Sequence, residues 1–82
     1  MTTVRVDVVC FAALRERLGG RATREVSRGT TVAALWRELV RGAPELRRLP
    51  VRFAVRERYV PDDYVLRSGD EVAVFPPVSG GS

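Results

Sequence analysis

Between Thr31 and Gly42 the apolar residues fall at Val32, Leu35, Trp36, Leu39 and Val40. That spacing is i, i+3, i+4, i+7, i+8, which places all five on one stripe of an α-helix. A stripe this complete has to be covered, and the rest of the chain offers strands to cover it. Val4-Arg5-Val6-Asp7-Val8 and Val51 to Arg56 alternate with period two. Glu71-Val72-Ala73-Val74-Phe75 is a third such run, and Pro76-Pro77 stops it because neither residue can donate a ladder hydrogen bond. The expected class is therefore α+β, with one long helix lying across one face of one sheet.

The punctuation supports that order. Thr30-Thr31 offers an N-cap for the helix, and Gly42 with Pro44 ends it. Phe11 to Leu18 reads as a short helix closed by Gly19-Gly20. Ala22 to Ser27 is a weakly patterned strand, and Arg58-Tyr59-Val60 a short one. Pro61-Asp62-Asp63 and Leu66 to Asp70 are turns. The order is strand, short helix, strand, long helix, strand, short strand, strand. The first and last strands, 4–10 and 71–75, are the most apolar, so they are expected to be central and adjacent. A mixed sheet of four or five strands arranged this way is a β-grasp. Residues 1–75 are expected to form the domain and 76–82 a flexible tail.

Composition removes most chemistry. The chain has 82 residues, one cysteine and no histidine. That excludes an internal disulfide, the usual zinc sites and any Ser-His-Asp or Cys-His machinery. The expectation is no bound metal or cofactor and no catalytic side chain of its own. Cys10 sits in an apolar strand pattern and is expected to be a buried small hydrophobe. Asp62-Asp63 and Asp70-Glu71 are adjacent acids, but both lie in turns. The net charge is +4, every basic residue is arginine, and the arginines alternate with acids along most of the chain. The densest basic stretch is Arg47-Arg48 with Arg52 nearby. This is a mixed surface and not the basic stripe of a nucleic-acid binder. No run approaches the length of a membrane span, and Met1 to Val6 leads into a strand without a signal-peptide layout. A cytoplasmic location is expected.

What remains is the tail, Pro76-Pro77-Val78-Ser79-Gly80-Gly81-Ser82. Two prolines stiffen its root, and Ser-Gly-Gly leaves its tip free. The stretch 76 to 81 can reach about 20 Å at about 3.3 Å per residue. Glycine has no Cβ to clash in a narrow channel, so a Gly-Gly end suits delivery of a terminal group into another protein's pocket.

Here the residues match a family. Gly69-Asp70-Glu71-Val72-Ala73-Val74-Phe75-Pro76-Pro77-Val78-Ser79-Gly80-Gly81 closely resembles the ending of molybdopterin synthase small subunits, ubiquitin-like sulfur carriers. Phe11-Ala12-Ala13-Leu14-Arg15-Glu16 resembles that family's first strand-to-helix junction, and Ala54-Val55 followed by the Leu66 to Asp70 turn also fits. The resemblance spans the whole chain.

It implies a mechanism. An adenylating enzyme of the ubiquitin-activating type uses ATP to activate the carboxylate of Gly81, and a sulfur source converts it to a thiocarboxylate. The carrier then docks on the synthase large subunit, in a heterotetramer, and inserts its tail. The sulfur goes into the dithiolene of molybdopterin. Family members dock through aliphatic or aromatic residues at positions matching Phe11, Tyr59 and Phe75. Strand parity independently puts Phe11 and Phe75 on the face opposite the helix. Arg15 could pair with an acidic residue of a partner.

Two residues depart from the family pattern. Arg56 stands where asparagine is common. Ser82 follows Gly81, which then has no free carboxylate: either Ser82 is removed before activation, or it is not native to the protein, or the chain is a precursor or an inactive relative. The alternatives are a related carrier for thiamine, cysteine or tRNA thiolation, a protein modifier, or a β-grasp interaction module that transfers nothing. As a modifier, the chain could not extend itself through its own lysines, since it has none.

Overall fold

The computed structural model describes residues 2–77. Five strands make one sheet: β1 (Thr3–Cys10), β2 (Arg21–Ser27), β3 (Arg52–Val55), β4 (Arg58–Val60) and β5 (Glu71–Phe75). Their spatial order is β2-β1-β5-β3-β4. The first and last strands are central and adjacent as expected, and they run parallel, while every other pair is antiparallel. This is the β-grasp arrangement.

One face of the sheet is the core. Val4, Val6, Val8 and Cys10 of β1 are buried on it, as are Val72 and Val74 of β5 and Phe53 and Val55 of β3. The helix α2 (Val32–Leu39) lays Val32, Leu35 and Trp36 onto them, and Trp36 meets Phe53 edge-on with ring centres 6.4 Å apart. Each fully covered Val or Leu here contributes about 1.5–3 kcal/mol relative to exposure. Thr31 caps α2: its Oγ1 accepts the Ala34 N–H at 3.1 Å. Cys10 is a free thiol in this core, and burial pushes its pKa up, which keeps it protonated.

The helical layer differs from the expectation of one long helix. α2 has 8 residues, Val40 is its C-cap, and a separate four-residue helix, α3 (Pro44–Arg47), follows. Pro44 lies four residues beyond the Val40 cap and does not set the end of α2. Its fixed φ and missing N–H suit the first turn of a helix, so it starts the second one, which buries Leu46. The first short helix, α1 (Ala13–Leu18), begins two residues later than expected because Ala12 turns the chain at φ 55°. No helix among the described residues is long and apolar enough to cross a membrane.

Candidate functional site

Among the described residues no helix lies over the other face of the sheet. Register places Arg21, Val9, Ala73, Ala54 and Tyr59 abreast, one from each strand. From β1 to β4 that row is apolar, and its two middle members are alanines, so the centre of the face is low. A groove of about 560 Å³ runs there, lined in part by Ala54, Ala73 and Phe75.

Phe75 lines that groove, and two further aromatic rings pack against Phe75. Phe75 closes β5 and Phe11 follows β1, and parallel pairing of those strands brings their ends side by side. The two rings stack with centres 4.8 Å apart and planes 8° from parallel. Tyr59, from the edge strand β4, meets Phe75 edge-on at 6.1 Å. Arg52, paired with Phe75 across the strands, lies over the Tyr59 ring at 4.9 Å. Phe11 is 41% exposed and Tyr59 65%, while Phe75 between them is half-buried. Two exposed rings and a half-buried one are held in fixed mutual geometry beside the alanine floor. The structure thus brings together Phe11, Tyr59 and Phe75, which the sequence reading had singled out separately.

Pro76-Pro77 leaves directly from Phe75, so the aromatic cluster stands at the root of the tail. Val78, Ser79, Gly80, Gly81 and Ser82 lie outside the described residues. Arg15 is exposed on α1 and forms no ion pair among the described residues. A Cβ at Gly20 would approach its Nε to 3.3 Å, so the glycine leaves room for that side chain.

Beyond the rings the same face turns polar. Arg21 bridges Glu71 at 2.8 Å and Asp7 at 3.7 Å, and Thr23 donates to Asp7 at 2.9 Å. The turn entering β5 is fixed by Asp70, whose side chain is buried. Its Oδ2 accepts the Tyr64 hydroxyl at 3.0 Å and the Arg67 N–H at 2.9 Å, and Arg56 approaches its Oδ1 to 3.7 Å. Burial, then the bond to Asp70, raises the Tyr64 pKa. Arg56 and Glu57 form the two-residue β3–β4 turn, both at positive φ, 55° and 67°. An asparagine is favoured at such a position because its side chain tolerates it. Arg56 takes it here and reaches Asp70. Sequence reasoning missed the alanine floor, the Arg52 cap and the Asp70 clasp. Their signal was register, which pairs Ala54 with Ala73 and Arg52 with Phe75.

Residues 8–81 match the model of the ThiS family. The chain belongs to that family. Among relatives of this ThiS-family chain is the human "Molybdopterin synthase sulfur carrier subunit", 40% identical, with 94% of each chain covered. Among solved structures, a putative molybdopterin converting factor, subunit 1, from Pyrococcus furiosus superposes with a TM-score of 0.79 at 32% identity, covering 92% of this chain and 99% of that one. SAMP1 from Haloferax volcanii superposes with a TM-score of 0.75 at 27% identity, covering 94% and 99%.

Proposed function

We propose that this chain is the sulfur carrier subunit of a molybdopterin synthase. The observation that carries the proposal is the 40% identity to the human carrier over nearly the full length of both chains. The exposed Phe11–Phe75–Tyr59 cluster at the root of the tail agrees with it. In this reading the open face docks on the synthase large subunit with the three rings at its centre, and Arg15 pairs with an acidic group at the rim. Docking there aims Pro76-Pro77, and behind it Val78-Ser79-Gly80-Gly81, into the large subunit's active site.

The chemistry is at Gly81. Its carboxylate attacks the α-phosphorus of ATP in an adenylating partner, releasing pyrophosphate and leaving an acyl-adenylate. A sulfur donor then displaces AMP, and the terminal carboxylate becomes a thiocarboxylate. In the synthase that sulfur is transferred to the pterin precursor, and water attacks the carrier's acyl carbon so that the carrier returns as a carboxylate. The catalytic side chains belong to the partners. The cytoplasm is the compartment this cycle requires, since ATP and the partner enzymes are there.

A second reading, a protein modifier, is favoured by the similarity to SAMP1. Complementation separates them. A bacterial strain lacking its own synthase small subunit is given this chain ending at Gly81, and molybdoenzyme activity should return. Removing Gly80 and Gly81 should abolish the rescue. Rescue of a thiamine-carrier-deficient strain alone, or conjugates on other proteins without molybdoenzyme activity, would overturn the proposal.

A further inference from the structure

The helical layer carries a second cleft that the carrier cycle does not use. It lies where α2, α3 and the segment entering β3 meet, with a volume of about 290 Å³. Trp36, Leu49 and Phe53 contribute its apolar wall, and Arg37 and Arg47 stand on it with Asp62. A neighbouring depression of about 390 Å³ is shared by Arg37, Arg41 and Arg47.

Unpaired arginines outnumber unpaired acids there, although Asp62 also lines the cleft and forms no ion pair among the described residues. Glu38 is taken by Arg41 at 2.6 Å, and Glu45 is taken by Arg17. Arg37, Arg47 and Arg48 are exposed and form no ion pair among the described residues. Like charges held close together cost stability and favour an anionic partner. The indole N–H of Trp36 is buried beneath this surface with no hydrogen-bond acceptor among the described residues.

We propose that this cleft is a second docking site, for an acidic segment of a partner protein that carries one apolar anchor residue. Carboxylates on the segment pair with Arg37 and Arg47, whose guanidinium forks suit bidentate binding. The anchor covers the Trp36–Leu49 wall. Trp36 and Phe53 belong to the helix side of the sheet, so this site and the aromatic face lie on opposite layers. Both can be occupied at once.

Trp36 is the only tryptophan, so its fluorescence reports on the cleft. The probe is a capped Glu-Asp-Leu-Asp-Glu peptide, titrated into the full chain at low salt. The expected result is a saturable change, with affinity roughly tenfold weaker in the Arg37→Glu, Arg47→Glu double variant. The equally charged Arg24→Glu, Arg28→Glu variant, with one change in the edge strand β2 and one in the turn after it, should bind as the parent does. Should the reversed pair unfold, Arg37→Gln with Arg47→Gln is expected to show the same direction of loss in a chain whose circular dichroism is unchanged. The proposal is overturned by an absence of saturation, or by equal loss in the β2 variant. It is equally overturned by equal binding of the Gln-Asn-Leu-Asn-Gln peptide, or by displacement of the peptide by equimolar inorganic phosphate.

Discussion

Phe11 and Phe75, from opposite ends of the chain, stack face to face with their centres 4.8 Å apart. Their contact follows from the parallel pairing of β1 with β5, since only parallel strands bring both C-terminal ends to one edge of the sheet. The stack fixes the position of Phe75, and with it the direction in which Pro76 leaves the domain.

If this cluster is the centre of the docking surface, truncating it should weaken binding far more than folding. Phe75→Ala is expected to cost about 2 kcal/mol of affinity for the synthase large subunit, roughly 30-fold in Kd. Tyr59→Ala, exposed and away from the core, should also weaken binding with little change in melting temperature. Calorimetric titration beside thermal unfolding checks both. Unchanged affinity in both variants would place docking elsewhere.

The β3–β4 turn holds a correctable strain. Glu57 sits at φ 67°, where a Cβ is unfavourable and glycine is not. Glu57→Gly is expected to stabilise the domain by about 1 kcal/mol and raise the melting temperature by roughly 4–8 °C. Arg56 is left in place, so its approach to Asp70 is kept. Thermal unfolding of the two chains tests this, and a lower melting temperature would contradict it.

The Tyr64–Asp70 bond predicts an alkaline limb of stability. Burial and the bond to Asp70 raise the Tyr64 pKa above its ordinary value of 10.0. The unfolded chain therefore loses the phenolic proton first, and binds fewer protons than the folded one as pH rises past that value. Stability from this group is present below pH 10 and is lost as pH climbs through the folded value. The urea midpoint should fall as pH rises past 10, and fall less steeply in Tyr64→Phe. Equal slopes in the two chains would assign the limb to other groups.

The parts of the fold set by periodicity were legible in advance. Val4 to Cys10 alternate, and they bury one face; the α2 stripe is where its spacing placed it. Parity also put Phe11 and Phe75 on the open face. The second helix was not legible, because Pro44 after a helical stripe reads as a stop, whereas here it opens a new helix that buries Leu46. β2 was faint because it is an edge strand with most of its residues exposed, so no face had to be apolar. The role of Asp70 was hidden for another reason. An acid in a turn normally faces water, and its burial follows from the placement of Tyr64 and Arg67 around it.

The central claim concerns one carboxylate, and intact mass reads it directly. The chain ending at Gly81 is incubated with a molybdopterin-type adenylating enzyme, ATP and a sulfur donor, beside that enzyme's own carrier as a control. The expected result is a mass increase equal to replacement of one oxygen by sulfur, located at Gly81 by fragmentation, and no such increase in the form that retains Ser82. An unchanged Gly81 form, in a mixture where the control carrier is fully converted, would contradict it.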